Sequence, residues 1–405
     1  MHPSPNATPA SQRNALRGAI FIMATSSIGP AFLTQTSLFT EKYLASFAFA
    51  IVISLLIDIG AQLNIWRIIT VANLRGQDVA NRVLPGVGHV ISAFIVLGGV
   101  AFNIGNIGGA GLAMNVIFGV PPIIGSLIAA VLIIGIFLLR NAKGVMDSVM
   151  QVLGLVMLCM IGYAMLQSNP PVLEALSRSI NPDDPLILLL PIVTLVGGTV
   201  GGYISFSGGH RLVEAGITGV ENVGRVTRAA VIGIMTTGFV RICLFLAALG
   251  VVSQGLSLDP GNPAASVFSH SMGTIGYKVF GVVLLAASVS SVIGAAYTSV
   301  TFMYSLHESI QRNNRWMVIG FIACSTLIYS LVGQPVKVLV VAGTLNALVL
   351  PLALGCVLVA AKKQSIVGSE YRHPTWMLMF GLLAMLATAV GVAMSFNAFV
   401  QFWQS

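Results

Sequence analysis

Long apolar runs separated by short polar connections dominate this chain. Each run is about 20 residues long, the length that an α-helix needs to cross the roughly 30 Å of hydrocarbon in a bilayer. The pattern predicts eleven helices, near 16–39, 44–66, 88–117, 121–139, 146–166, 186–211, 228–253, 274–306, 316–333, 336–360 and 375–400. The longest polar connections are 167–185 and 212–227. We therefore expect an all-α polytopic membrane protein without a soluble domain.

Composition and charge agree with this prediction. Of the 405 residues, 56% are hydrophobic and 8% are charged, whereas soluble domains carry about 25% charged residues. If the N-terminus is cytoplasmic, fifteen of the twenty Lys and Arg residues fall at inner helix ends and four at outer ends, and Arg241 lies within the seventh helix. Inner ends of membrane helices carry such an excess. The net charge of +8 therefore indicates orientation, with the C-terminus outside, and gives no reason to expect nucleic acid as a partner.

Two of the predicted helices are interrupted by glycine and polar residues. The first contains "ATSSIGPAFLTQT" (24–36) and the sixth contains "TLVGGTVGGYISFSGGH" (194–210). Unwound backbone at membrane depth survives only where it is buried in protein or lines a cavity. Interrupted helices at corresponding positions of two repeats indicate a transporter binding site. Five helices separate the two starting points, which predicts a cytoplasmic tail (1–15), two five-helix repeats (16–166 and 186–361) and an extra helix (374–400).

Four further segments match runs found in one transporter family. They are "RGQDVAN" (75–81), "GLAMNVIFGVPPIIGSLI" (111–128), "GGTVGGYISFSG" (197–208) and "ALVLPLAL" (347–354). With the breaks, they make nearly the whole chain resemble the NRAMP family of proton-coupled divalent-metal transporters. The resemblance implies a LeuT-type fold, with inverted five-helix repeats and broken first and sixth helices.

The chain departs from NRAMP transporters at their metal ligands. Where the family has Asp-Pro-Gly-Asn, residues 29–32 read Gly-Pro-Ala-Phe, and where it has Met-Pro-His, residues 201–203 read Gly-Gly-Tyr. The family's acidic pair falls at Asn103 and Asn106, and a histidine linked to proton movement falls at Gly208. Divalent ions need oxygen or soft sulfur ligands to replace their hydration shell. We therefore predict that the protein does not move manganese or iron, and that the small residues leave space for an organic solute.

A bacterial NRAMP-like branch resembles this chain more closely still. It shares the patterns "MATSSIGPxFLTQT", "DIGAQxNxWRI", "FNIGNIGGAG" and "LVGGTVGGYIxFxGGHRL", and its genes tend to lie beside those of 5-oxoprolinase. The resemblance implies uptake of 5-oxoproline across the bacterial inner membrane. Its carboxylate would sit on the dipole-positive ends of the broken helices, as transported amino acids do in LeuT-type folds.

The predicted site follows the two breaks and the polar positions near them. The substrate-binding candidates are Thr25, Ser26, Ser27, Gly29, Pro30, Gln35, Asn103, Gly201, Gly202, Tyr203 and Ser205. The candidates for coupling or gating are Asn106, His210, Asp58 and Arg241. An alternative role of the serine and threonine hydroxyls is a hydrogen bond to a carbonyl of their own helix. An alternative role of the Asn103 and Asn106 side chains is hydrogen bonding between helices. Asp58 is the best acidic candidate to partner Arg241; whether the two form a pair, and whether such a pair is structural glue or a coupling switch, stays open from the sequence.

Several functions stay open from the residues alone. A secondary transporter of a small organic acid, driven by a proton or a sodium ion, is the leading interpretation, with a hydrated divalent cation such as magnesium as the alternative cargo. A membrane enzyme would need a cluster of catalytic groups, and the adjacent His307 and Glu308 diverge around a helix. A sensor built on a transporter scaffold is a third class. No cofactor motif is present, and the sequence does not indicate an oligomeric state.

Overall fold

The computed structural model describes residues 15–20, 23–24, 27–138, 142–304 and 308–404, with the backbone alone at 142–151. Throughout these residues the regular structure is helical. The first half contains α1 (Pro30–Tyr43), α2 (Phe47–Ala72), α3 (Gly76–Val83), α4 (Val87–Phe118), α5 (Pro122–Leu138), α6 (Ala142–Gln167) and α7 (Val172–Arg178). The second half contains α8 (Leu189–Thr199), α9 (Ile204–Glu214), α10 (Val223–Ser253), α11 (Pro263–Met303), α12 (Glu308–Arg312), α13 (Asn314–Val332), α14 (Pro335–Ala347), α15 (Val349–Ala360), α16 (Gln364–Val367) and α17 (Thr375–Gln404).

Prolines and glycines set many of the helix boundaries. Four helices begin at a proline, namely Pro30, Pro122, Pro263 and Pro335. Proline suits a first turn because its missing N–H has no partner there and its φ is already helical. The Asn262 side chain also caps α11, accepting from the Ala265 N–H at 3.2 Å. At the other end, α4 and α13 stop at left-handed glycines, Gly119 and Gly333, a common helix terminator.

The all-α membrane architecture is confirmed. Eight helical stretches in the described part are long and apolar enough to span a bilayer: Pro30–Ala72, Val87–Phe118, Leu189–Glu214, Val220–Ser253, Pro263–Met303, Asn314–Val332, Pro335–Ala360 and Thr375–Gln404. A ninth is added if Val152–Gln167 and Val172–Arg178, which meet at a bend of 104°, form one span. Because α5 is only 17 residues long, the count of eleven membrane helices stays a prediction, as does the division into inverted repeats.

Both predicted helix breaks are present. Residues 28–29 are not helical and precede α1, and residues 200–203 separate α8 from α9. Two further interruptions were not predicted. Gly273 adopts φ 63° and ψ −160° inside α11, and Leu348 separates α14 from α15. The predicted helix at 274–306 therefore begins at the Gly273 break, and Pro263–Met272 forms an additional helical segment before it.

The central helix α4 packs closely on its neighbours through small residues. In the 108–111 glycine-rich run, a methyl group on Gly108 would lie 2.7 Å from the Tyr329 ring. A methyl group on Gly109 would collide with the Pro30 ring. Small residues let membrane helices approach to backbone contact. This run therefore brings α4 directly against the first break.

Candidate functional site

The first break lies between three helices. Gly29 has an extended backbone, with φ −119°, and is the residue that immediately precedes α1. A methyl group on Gly29 would lie 2.7 Å from the Ser291 Oγ of α11 and 3.9 Å from the Asn106 Oδ1 of α4. Ser27 Oγ lies 3.0 Å from the Met23 carbonyl oxygen and 3.4 Å from that of Thr199. The hydroxyl of Ser27 thus makes the expected bond to its own helix and also reaches the end of α8.

Two predicted residues of this break, Thr25 and Ser26, lie outside the described residues. Pro30, a further candidate, is the first residue of α1 and packs against Gly109. It therefore forms a contact between helices.

The second break is crossed by local hydrogen bonds. Ser205 Oγ donates to the Val200 carbonyl oxygen across the break. The Ser205 carbonyl oxygen accepts from Trp66 Nε1 at 2.9 Å and from Gln62 Nε2 at 3.3 Å, both on α2. Gly202 has φ +56°, which favours glycine. The unwound backbone is thereby partnered inside the protein, as membrane burial requires.

The expectation that the glycines of the second break leave open space is wrong. A methyl group on Gly201 would collide with the Gly197 carbonyl oxygen and lie 2.9 Å from the Asn346 backbone. One on Gly202 would collide with Asn346 Oδ1. The Asn346 amide is held in place because its Nδ2 donates to the Gly98 carbonyl oxygen at 3.0 Å. The space left by small side chains is therefore filled by the close approach of α14.

A buried arginine lies between the two breaks. Arg241 of α10 is 3% exposed. Its Cζ lies 4.5 Å from the centroid of the Phe32 ring, in the first turn of α1. Its Nη1 donates to Thr199 Oγ1 at 3.1 Å, at the end of α8. Nε and Nη2 of Arg241 have no hydrogen-bond partner among the described residues. The guanidinium therefore contacts one half-helix from each broken span and retains donors for another group.

Asp58, the candidate partner of Arg241, does not form a direct ion pair with it. The carboxyl is 1% exposed, on α2. Ion pairs within 4.0 Å in the described part join Arg75 to Glu214 and Arg178 to Asp183. Instead, the Thr199 side chain interacts with both Asp58 and Arg241. Thr199 therefore lies close to both charges, and its position there was not predicted from the sequence.

The polar candidates on α4 and α1 separate into different environments. Asn103 Nδ2 donates to Ser325 Oγ on α13 at 3.3 Å, and Gln35 Nε2 donates to the Leu339 carbonyl oxygen on α14 at 2.8 Å. Both therefore bond between helices. Asn106 faces the first break, and within the described structure neither atom of its buried amide has a partner. Of these three, Asn106 alone has both amide atoms without a partner in the described part of the chain, whereas Asn103 and Gln35 leave only their oxygen atoms without one.

The two aromatic candidates near the second break lie in packed surroundings. Tyr203 is buried, and its ring meets the edge of Phe102 with centroids 6.0 Å apart. His210 lies against the Phe206 and Phe302 rings at 5.6 and 5.3 Å. Its Nε2 accepts the Gly76 N–H at 2.9 Å, which places the proton of the neutral ring on Nδ1. His210 thus joins α9 to the start of α3, away from the described residues of the first break.

Three contributors to this region were not predicted: Phe32, Thr199 and Asn346. Phe32 was noted only as a lost metal ligand, although its ring lies against Arg241. Thr199 is part of the interrupted sixth span, and Asn346 is a lone amide in the apolar run before "ALVLPLAL". A polar residue inside an apolar run is the signal that indicates Asn346, because such groups must find a partner in the membrane.

An all-α membrane fold in which two interrupted spans meet at a buried polar region is the architecture of LeuT-type transporters. The chain belongs to the Nramp family, natural resistance-associated macrophage protein-like, whose pattern it matches over residues 20–397. A mutant of the Eremococcus coleocola manganese transporter has a similar structure, with a TM-score of 0.77, 16% identity, and coverage of 100% of this chain and 90% of that one. MhsT in complex with L-phenylalanine is also similar, with a TM-score of 0.64, 16% identity and coverage of 94% and 98%.

Two bacterial relatives share about half of the sequence. The uncharacterized membrane protein YcsG of Bacillus subtilis is 53% identical over 375 residues, which are 93% of this chain and 92% of YcsG. An uncharacterized membrane protein of Haemophilus influenzae is 51% identical over 382 residues, with coverage of 94% and 95%. The chain is thus an Nramp-family membrane transporter.

Proposed function

We propose that this transporter moves a small organic anion that carries a carboxylate, with 5-oxoproline as the first compound to test. The observation that supports this proposal is the Arg241 guanidinium between α1 and α8, with Nε and Nη2 unpartnered in the described structure. Asp58 attracts this charge only from beyond ion-pair distance, and a buried charge that is incompletely paired is costly. A guanidinium presents a planar fork of donors that matches a carboxylate. A bound carboxylate would satisfy both donors and neutralise the charge.

A second polar group at the first break suits a compact amide-containing acid. The Asn106 amide, buried at Gly29, retains one donor group and one acceptor. A lactam offers the complementary acceptor and donor. In this proposal Arg241 binds the carboxylate and the Asn106 amide forms hydrogen bonds with the lactam. Gly29, which has no side chain, lets the ligand approach the backbone at the start of α1. The binding site opens alternately to the two sides of the membrane, and a proton or sodium gradient drives uptake.

The same arginine disfavours a divalent cation at the break. At an effective dielectric constant near 20, a divalent ion about 6 Å from a guanidinium would be repelled by about 5 kcal/mol. Residues 29–32 offer no side-chain oxygen to offset that repulsion. The cargo that fits this region is therefore negatively charged.

A divalent metal ion is the second candidate, favoured by the structural likeness to a manganese transporter. Asp58 Oδ1 and Asn106 Oδ1 are buried oxygens without a partner among the described residues. Carboxylate and amide oxygens are suitable ligands for hard cations. A metal ion would have to bind on the Asp58 side of Thr199, with Arg241 turned away.

Ligand binding to the purified protein distinguishes these candidates. Thermal unfolding is followed with 5-oxoproline, with 2-pyrrolidinone as the matched ring without a carboxylate, and with manganese chloride. At 100 times its Kd, a ligand adds about 2.7 kcal/mol to stability. We expect stabilisation by 5-oxoproline and none by 2-pyrrolidinone. Stabilisation by manganese alone would contradict the proposal.

A further inference from the structure

A basic cavity lies among the ends of three helices, outside the region between the breaks. Its volume is about 860 Å³. It lies where α2 ends, where α10 begins and just before α17 starts, and its lining includes Arg67, Arg228 and Arg372 from these three places. Glu370 is the acidic residue of the lining. The cavity is thus strongly basic at one level of the helix bundle.

One of these arginines is held in a fixed position. Arg67 Nε donates to the Tyr371 hydroxyl at 2.7 Å, and its Nη1 donates to Thr227 Oγ1 at 3.3 Å. Tyr371 Oη lies 2.8 Å from His373 Nδ1, and His373 Nε2 lies 2.8 Å from Asn64 Oδ1. This chain of bonds orders the loop before α17 against α2. It presents the Arg67 guanidinium to the cavity in one orientation, which lowers the entropic cost of binding an anion.

The cavity continues into an apolar stripe on the surface of α10. Arg228 and Ile232 line the cavity. Met235 and Phe239 follow at spacings of three and four residues, which place them on the same helix face. Ile232, Met235 and Phe239 are 41%, 48% and 67% exposed. They belong to an apolar span. The stripe therefore runs from the basic cavity along the part of α10 that crosses the membrane.

We propose that this cavity and stripe form a binding site for an anionic phospholipid. The phosphate would be bound by Arg67, Arg228 and Arg372, and one acyl chain would lie along Ile232, Met235 and Phe239. Basic cavities between membrane helices at the cytoplasmic boundary bind anionic head groups. The apolar stripe favours a lipid over free phosphate, which would make no use of it. The inference does not depend on the identity of the transported cargo.

Lipid retention by charge-matched variants tests this proposal. The double variant Arg228→Gln/Arg372→Gln removes two cavity charges and leaves the Arg67 network intact. The control, Arg211→Gln/Arg312→Gln, removes two exposed arginines elsewhere. Native mass spectrometry measures retention of palmitoyl-oleoyl-phosphatidylglycerol, with phosphatidylcholine of the same chains for comparison. We expect at least tenfold weaker retention of phosphatidylglycerol in the cavity variant, and wild-type retention in the control.

A third variant separates a lipid from free phosphate. Met235→Ser/Phe239→Ser changes only the stripe. We expect it to weaken retention of phosphatidylglycerol and to leave any stabilisation by inorganic phosphate unchanged. Equal retention of phosphatidylglycerol by the cavity and control double variants would overturn the proposal. Binding of inorganic phosphate at the arginines, with no effect of the stripe variant on the lipid, would also overturn it.

Discussion

Replacement of Arg241 by methionine should abolish ligand binding. Methionine fills a similar apolar volume but carries no charge. In the proposed complex, Nε and Nη2 make two charge-assisted hydrogen bonds to the carboxylate, each contributing about 1.5–3 kcal/mol. Their loss amounts to about 3–6 kcal/mol, which raises Kd by roughly 10²- to 10⁴-fold. Arg241→Lys keeps the charge but loses the planar fork, so we expect an intermediate loss.

The same substitution should also lower stability. In the described structure Arg241 makes one side-chain hydrogen bond and one ring contact, and its charge attracts the buried Asp58 carboxyl. Removing one member of a buried charge pair is destabilising because the other charge is left uncompensated. We therefore expect the ligand-free Arg241→Met protein to unfold below the wild-type temperature.

Isothermal titration with 5-oxoproline and thermal unfolding without ligand measure the two quantities on the same preparation. Arg312→Met, at an exposed arginine, is the control for loss of one positive charge. Wild-type affinity in Arg241→Met would refute the role of the guanidinium in binding. Unfolding of the ligand-free variant at or above the wild-type temperature would contradict a stabilising interaction between Arg241 and Asp58.

Two other substitutions, together with one control, test the packing and the loop network. Gly202→Ala should lower the melting temperature, because Gly202 has φ +56° and a methyl group would meet a filled space; the cost should exceed about 1 kcal/mol. Gly162→Ala, with no atom within 4 Å of the added methyl, should be neutral or stabilising. Burial of His373, with Arg67 and Lys362 nearby, lowers its pKa to about 4. In the unfolded state the His373 imidazole binds a proton near pH 6.5. The stability contributed by the neutral, buried His373 is therefore present above pH 6.5 and is lost as the pH falls toward 4. His373→Gln should flatten the melting-temperature profile in that window. An unchanged slope would contradict the assignment.

The sequence predicted the positions of both breaks because the composition there is unusual. The glycines and proline near 29–30 and 200–203 cannot continue a regular helix without cost, and polar neighbours accompany them. The interruption at Gly273 was not predicted, because one glycine among many in membrane helices carries no distinguishing signal. Its positive φ is a conformation that glycine adopts at little steric cost.

The same composition did not distinguish an open cavity from close packing. A glycine leaves space for a ligand or lets another backbone approach, and the sequence around Gly201 is compatible with both. Which of the two occurs depends on α14. Its residue Asn346, more than a hundred residues away in sequence, occupies the space next to Gly201. Likewise, Arg241 was singled out as a buried charge, but its contacts with Phe32 and Thr199 are long-range. No local pattern specifies them.

The central claim is that this Nramp-family transporter carries an organic anion. Counterflow uptake of labelled 5-oxoproline into proteoliposomes, with manganese and magnesium uptake assayed in the same preparation, tests it most directly. We predict accumulation of 5-oxoproline that Arg241→Met abolishes, and no uptake of either metal. Uptake of manganese or magnesium without uptake of 5-oxoproline would contradict the claim and would indicate that the region between the breaks binds a cation.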